Sequence, residues 1–257
     1  MQTYPAAPHR PIEWKRAWKA LQVLIDDPQR TEKVFEIAEA LSGNSFERHF
    51  QRFAAHPDGQ RLLEERPSLL DKLRDREALR ALPPGSFGRT YAEFMESGNL
   101  TPDGLVEADV MAERPNPPEP IDPNREFFGD RIRDIHDLWH VLTGYGMDEA
   151  GEAANLAFTI GQIPTYGIVA IVLTAGVIGP KDLRFTWQRY LFRAWRRGRG
   201  AVLLTAVRYE DLLSRPLSDV RKLLNIEPPE QAHPEGVVVA NREDLLGAPA
   251  AAGGTVH

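Results

Sequence analysis

The sequence predicts an all-α fold, a single-domain multi-helix bundle. Its apolar residues recur about every 3.6 positions through most of the chain, its Val, Ile and Thr residues form no alternating runs, and proline or glycine punctuates it at helix-length intervals. At 257 residues and 42% hydrophobic content the chain can bury one sizeable core. Residues 1–226 are read as that domain, and 227–257, rich in Pro, Ala and Gly, as a flexible tail.

The elements follow from local patterns. Residues 1–11 are broken up by proline and read as loose. Trp14, Trp18, Leu21 and Ile25 share a helical spacing, and Asp26-Asp27-Pro28 stops that helix. A second helix is expected over 29–41, followed by a break at Ser42-Gly43-Asn44. Ser45 is a candidate N-cap for a helix whose Phe46, Phe50 and Phe53 form an aromatic stripe suited to a core. The amphipathic pattern from Gly59 to Leu82 is interrupted at Pro67, where Pro67-Ser68 can begin a new helix. After Pro83-Pro84-Gly85, residues 86–97 turn Phe87, Tyr91, Phe94 and Met95 inward, and Gly98 ends them.

The proline-dense segment 114–123 is read as an extended connector within the domain, with Asp130 as N-cap of the helix beyond it. The apolar run from Gly167 to Gly179, stopped by Gly179-Pro180, is thirteen residues long, short of the roughly 20 that cross a bilayer; it reads as a buried helix first and as a surface that dips into a bilayer or binds an isoprenoid tail second. From Lys181 to Arg197, Leu183, Trp187, Leu191 and Trp195 share one face while Arg189, Arg193, Arg196 and Arg197 lie largely on another. Those arginines are either a solvated basic face or a contact for anionic lipid head groups or a diphosphate. Residues 201–213 and 217–224 complete the helical part.

The chemistry concentrates in 133–164, RDIHDLWHVLTGYGMDEAGEAANLAFTIGQIP. At about 100° per residue, His136 and His140 lie one above the other on a helix, with Asp137 roughly a quarter turn away. Two imidazoles at this spacing are the pairing of helix-borne metal sites, and Asp137 stands either as a general base or as a further ligand. Gly144-Tyr145-Gly146 permits a tight turn, so a second helix can fold back and present Glu152 to the pair. On that helix Glu152, Asn155, Thr159 and Gln162 form a polar stripe on an otherwise apolar element, which is expected to line a cavity. A helical His pair by itself is more often an ordinary core or surface pair; Glu152 and the stripe tip the reading toward a metal.

Composition removes competing chemistries. The chain has no cysteine, which excludes disulfides, thiol nucleophiles, iron–sulfur clusters and thiolate zinc sites, and leaves His, Asp and Glu as metal ligands. A net charge of -6 argues against broad nucleic-acid binding. The first residues lack a basic start followed by an apolar core, so no secretory signal is expected and a cytoplasmic compartment fits.

Three blocks, PPGSFGRTYAEFM (83–95), the 133–164 stretch, and WRRGRGAVLLTAVRYEDLLSRPLSDVRKLLNI (195–226), resemble the ubiquinone-biosynthesis family known as coenzyme Q biosynthesis protein four. The resemblance covers roughly residues 70–226, and its specific element is HDxxH, eleven intervening residues, then Glu, which His136, Asp137, His140 and Glu152 fit. It implies an all-helical fold, a divalent metal held by those four side chains, with zinc first and iron next, and a hydrophobic cavity for a prenylated quinone precursor. It also implies peripheral association with a membrane, here the inner face of a bacterial one, and work alongside other ubiquinone-biosynthesis proteins; the sequence leaves the oligomeric state open, a homodimer included. The implied reaction lies at C1 of the precursor ring, where a carboxylate is removed and a hydroxyl installed. His136, Asp137, His140 and Glu152 would then be the catalytic set, with Asn155, Thr159 and Tyr145 as candidates for orienting the substrate. Ala157 and Thr159 stand where more charged or bulky residues are expected of the family, so the substrate can differ.

Two other readings stay open on sequence alone. One is a non-catalytic lipid-binding scaffold whose metal only braces the helix pair. The other is a metal phosphohydrolase, which would need an upstream ligand such as His49 or His56.

Overall fold

The computed structural model describes residues 4–8, 10–27, 30–112, 122–178 and 184–240. Among these the chain is helical throughout, without a strand; the only extended pairing is a single bridge between Ser86 and Pro216. The helices are α1 (Trp14–Asp26), α2 (Thr31–Ala40), α3 (Ser45–Ala55), α4 (Pro57–Glu65), α5 (Leu69–Arg74), α6 (Arg76–Ala81), α7 (Phe87–Ser97), α8 (Asp103–Met111), α9 (Pro123–Asp134), α10 (His136–Thr143), α11 (Glu149–Gln162), α12 (Tyr166–Ile178), α13 (Arg184–Gly200), α14 (Leu217–Leu223) and α15 (Pro229–Ala232). Two short 3-10 turns, Leu204–Ala206 and Tyr209–Asp211, separate α13 from α14.

The main core forms where α11 lies along α13, and glycine decides how closely. A Cβ at Gly161 would come within 2.6 Å of the Trp195 carbonyl, and one at Gly198 within 2.1 Å of the Phe158 carbonyl. Only glycine permits that backbone approach. Trp139 of α10 fills the adjoining space: its ring packs edge-on against Phe158 at 5.6 Å, and its indole Nε1–H donates to the Tyr209 hydroxyl at 2.9 Å. The aromatic stripe of α3 is core as expected. Phe50 and Phe53 are fully buried against Phe128 of α9, with the Phe53 and Phe128 rings stacked at 4.8 Å. Burial of each such ring contributes about 1.5–3 kcal/mol.

Several local expectations are corrected. The 59–82 pattern breaks twice, because Asp75 as well as Ser68 accepts from a backbone N–H and caps a new helix. Ser45 is the first residue of α3 and turns its hydroxyl back to the Ser42 carbonyl, so it is not the cap. The cap of α9 is Asp122, which accepts from Asn124 N and Arg125 N at 3.1 and 3.2 Å, while Asp130 lies near the end of that helix and pairs with Arg133 at 2.9 Å. The His pair sits on a separate helix after a break at Ile135.

On α1 the packed face is the small one, Ala17 and Ala20 against Ile37, Ala40 and Ile171, so Trp14 and Trp18 stand 67% and 60% exposed. Of the chain expected to form a loose tail from residue 227, the part through Ala240 packs on the domain. Ala232 and His233 are buried, Ala150 N–H donates to the Ala240 carbonyl at 3.1 Å, and Ala240 N–H donates to Asp148 at 2.9 Å. The connector over 114–121, the stop at Gly179-Pro180 and residues 241–257 lie outside the described residues.

Candidate metal centre

Three helical features bring the site together. The first turn of α10 supplies His136, and the next turn supplies His140. Gly144 then ends α10 in the left-handed conformation, φ 73°, which glycine adopts without cost. Asp148 caps α11, accepting from Gly151 N at 3.3 Å, so Glu152 emerges in the first turn of α11.

The three side chains converge. His136 Nε2 and His140 Nε2 are 3.3 Å apart, and Glu152 Oε2 lies 3.6 Å from the first and 3.4 Å from the second. A tetrahedral ion bonded at about 2.0–2.1 Å separates its ligand atoms by about 3.3–3.4 Å, so the triangle fits the metal that its donor types suggest. The His140 Nδ1 faces the Tyr145 carbonyl at 3.2 Å. A carbonyl only accepts, so the proton sits on Nδ1 and Nε2 keeps a lone pair for a cation. Phe94 of α7 stacks on the His140 ring at 5.6 Å and fixes its plane. His140 is buried, whereas the Glu152 side chain is 44% exposed and forms the open side of the site.

Electrostatics favour positive charge at the centre of the triangle. Although part of the Glu152 side chain reaches solvent, the helices around its carboxyl desolvate it and push it up; the charge of His140 and hydrogen bonds from both imidazoles outweigh this and hold it well below the usual carboxylate range. Burial pushes His140 down, but the Glu152 charge and hydrogen bond outweigh it and raise the imidazole overall. Two imidazoles and a carboxylate so disposed accept either a shared proton or a divalent ion.

Asp137 is not part of the group whose ligand atoms all lie within 4.8 Å of one another, which comprises His136, His140 and Glu152 among the described residues. It lies close enough to feel all three, and burial raises its carboxyl against the opposing pull of the imidazoles. Positions 137 and 140 are three apart on one face of α10, so the carboxyl stays next to the triangle. Among the described residues His49 and His56 stand outside the group as well.

The polar stripe of α11 divides. Gln162 is structural: its amide donates to the Gly198 carbonyl at 2.5 Å and accepts from Leu204 N at 2.9 Å, tying α11 to α13. Thr159 turns its hydroxyl to the Asn155 carbonyl of its own helix at 2.8 Å. Tyr145 is buried with its hydroxyl hydrogen-bonded to His233 Nε2 at 2.9 Å. Asn155 alone keeps both amide atoms without a hydrogen-bond partner, although it is fully buried.

Two arginines near the site depart from the sequence reading: Arg197, expected on an exposed basic face, is buried instead, and Arg221 is not singled out there. Arg197 is buried under α10, and Arg221 of α14 donates to the carbonyls of Val141 and Leu142. A signal for Arg197 existed: Trp187, Tyr190, Leu191, Ala194 and Gly198 recur three and four apart on the buried face of α13, and Arg197 falls in that register. The uniform arginine run around it hid the difference. Arg189 and Arg193 pair with Glu235.

Known proteins share this chain's pattern. Residues 15–230 match the family described as coenzyme Q (ubiquinone) biosynthesis protein Coq4, so the match reaches well into the first 70 residues, which the sequence resemblance had left out. The ubiquinone biosynthesis protein COQ4 homolog, mitochondrial, of Aedes aegypti is 30% identical over 214 residues, 82% of this chain and 74% of that protein. The ubiquinone biosynthesis protein COQ4, mitochondrial, of Yarrowia lipolytica is 29% identical over 206 residues, 79% of this chain and 75% of that protein. A crystal structure of a protein from Nostoc punctiforme assigned to ubiquinone biosynthesis superposes with a TM-score of 0.60 at 20% identity, covering 83% of this chain and 98% of that one, which shows a shared fold. The chain belongs to the Coq4 family of coenzyme Q (ubiquinone) biosynthesis proteins.

Proposed function

We propose that this protein is a metal-dependent enzyme of ubiquinone biosynthesis that replaces the C1 carboxylate of a prenylated benzoate precursor with a hydroxyl. The observation that carries the reading is the convergence of His136, His140 and Glu152 at 3.3 to 3.6 Å in a family of ubiquinone-biosynthesis proteins. Those three residues would hold the ion, with Asp137 as the neighbouring second carboxylate and fourth expected ligand. Zinc suits the donor set and iron is the alternative. A bound divalent ion supplies a Lewis acid for a ring carboxylate or phenolate oxygen. The overall change, loss of carbon dioxide and gain of a hydroxyl, requires an oxidant, for which dioxygen is the simplest.

The chain's own residues supply the rest. Asp137, with its carboxyl raised by burial, can hold a proton next to the His pair. Asn155 offers an unspent donor and acceptor to a ring substituent. Because the alternative partners of Thr159 and Tyr145 are already inside the protein, Asn155 is the favoured orienting residue.

A prenyl tail finds support in α12, whose Leu173 and Tyr166 are exposed on an apolar helix. No described helix is long and apolar enough to cross a membrane. Peripheral attachment to the inner membrane face is favoured instead by α1, where exposed Trp14 and Trp18 adjoin Lys15 and Lys19. Beside them runs a groove of about 390 Å³ in which Arg16 pairs with Glu39 and Lys33 with Glu36, so the head-group contact would fall to the tryptophans with Lys15 and Lys19. Tryptophan and lysine together suit the head-group region of an anionic bilayer, and such attachment would bring the protein to the other enzymes of the pathway.

The test is turnover by the purified protein with and without metal. Metal-dependent release of carbon dioxide from a prenylated hydroxybenzoate supports the enzyme. Tight binding of that compound without turnover would replace it with a lipid-binding scaffold.

A further inference from the structure

Helix α10 spans only eight residues, so its last carbonyls have no partner within the helix. They are met by two guanidinium groups. Arg221 Nε donates to the Leu142 carbonyl at 2.8 Å and its Nη2 to the Val141 carbonyl at 3.0 Å. Arg197 donates to the Thr143 carbonyl through Nη1 and Nη2, both at 3.1 Å, and to the Glu227 carbonyl. Three consecutive carbonyls of the helix that carries both histidines are thus fixed from α13 and α14.

As a cap alone this arrangement is costly. Neither guanidinium has an ion-pair partner among the described residues, Arg197 is 5% exposed, and the Arg221 guanidinium is disfavoured first by burial and then by the charge of Arg197. Water or a neutral donor could satisfy the same carbonyls with less buried charge.

What the pair adds lies in the next two residues. The Arg197 guanidinium sits 5.1 Å over the Tyr145 ring, whose hydroxyl is in turn held by His233. The backbone carbonyl of the same Tyr145 receives the His140 Nδ1–H. Arg197 therefore grips the chain on both sides of Gly144, at the Thr143 carbonyl and at the Tyr145 ring, and the group that orients His140 is bracketed between these contacts and His233.

We infer that Arg197, assisted by Arg221, is a positioning residue for His140: it locks the 143–145 segment so that the Tyr145 carbonyl holds the Nδ1 proton and leaves Nε2 directed at His136 and Glu152. The inference rests on the metal reading for its consequence but not for its geometry.

The test compares the full-length wild type with Arg197→Met, Arg197→Lys and Arg221→Met by two readouts. One is zinc affinity measured against a chromogenic chelator, and the other is the hydrogen-bonded His140 Nδ1–H resonance in metal-free protein. Loss of a group that orients a metal ligand costs about 10- to 100-fold in affinity. Folded Arg197→Met is expected to show such a loss together with loss of the Nδ1–H resonance. Lysine, a single point charge in place of a fork, should restore affinity only in part. Phe53→Leu, remote from the site in the α3 cluster, controls for stability by lowering the melting temperature without moving either readout. If Arg197→Met lowers only the melting temperature and keeps both wild-type readouts, Arg197 is a structural cap and the inference is overturned. Should Arg197→Met not fold, wild-type values in Arg197→Lys overturn it equally. If the wild type binds no metal, the metal reading fails, and the Nδ1–H resonance still decides whether Arg197 positions His140.

Discussion

His136 and His140 meet Nε2 to Nε2 at 3.3 Å, with Glu152 completing the triangle. With one Nε2 protonated the pair is a hydrogen bond, and with both lone pairs free it is held together by positive charge between them, as from a metal ion. The carboxylate of Glu152 selects for such charge, and the Tyr145 carbonyl keeps the other His140 nitrogen out of the competition.

Metal should therefore stabilise the fold. A ligand present at about 100 times its dissociation constant adds about 2.7 kcal/mol, which in a chain of this size raises the melting temperature by about 5–10 °C. Calorimetry with zinc and then with a chelator should show that shift in the wild type and none in His140→Ala, which should also lose stoichiometric metal. Full metal content and full turnover in His140→Ala would sink the metal centre.

Asn155 separates function from folding. It is buried with neither amide atom hydrogen-bonded, so replacing it with leucine removes an unsatisfied polar group and should leave stability unchanged or about 1 kcal/mol higher. Turnover of the prenylated substrate should fall at least about tenfold, about 1.4 kcal/mol in transition-state stabilisation. Equal kinetics in urea-resistant Asn155→Leu would remove Asn155 from the site.

Acid should loosen the C-terminal segment. Burial first, and then the charges of Arg197 and Arg193, push the His233 imidazole down to about 4, against about 6.5 in an unfolded chain. Between those values the unfolded chain binds the extra proton. The contribution of His233 is thus fully present above about pH 6.5 and is lost as pH falls toward about 4, on the order of 3 kcal/mol in all. Urea unfolding across that range should show a shallower decline in His233→Gln; parallel profiles would reject the assignment.

The α11–α13 crossing should tolerate no side chain at Gly198. A methyl group there would stand 2.1 Å from the Phe158 carbonyl, and overpacking of this kind costs about 1–3 kcal/mol or more. Gly198→Ala should lower the urea midpoint accordingly, while Gly200→Ala, whose Cβ would meet nothing within 4 Å, should not.

Vesicle sedimentation tests the α1 surface. Trp14→Ala with Trp18→Ala should reduce binding to vesicles containing anionic lipid several-fold, and wild-type binding should weaken with salt, since each exposed lysine near such a surface contributes about 1 kcal/mol. Wild-type binding by the double variant would move the contact elsewhere, and Arg196 and Arg199 of α13, exposed beside Trp195, would be the next candidates.

Spacing along the chain determined what depends on a single helix. The all-α class, the burial of Phe50 and Phe53, and the His136–His140 pair are consequences of about 3.6 residues per turn, which sets neighbours on one helix whatever surrounds it. The hairpin that brings Glu152 back needed only a left-handed residue, and Gly144 supplies it. Periodicity does not say which face a neighbour will cover. That choice fell to the tertiary structure, which packed Ala17 and Ala20 on α1 and left Trp14 and Trp18 outside, and which buried Arg197 while its neighbours in sequence reach solvent or Glu235. The same packing consumed the polar atoms of Thr159, Gln162 and Tyr145 inside the protein. The physical reason is that a helix fixes the relative angles of its side chains, whereas its rotation about its own axis is fixed only by the shapes and charges of the helices packed against it.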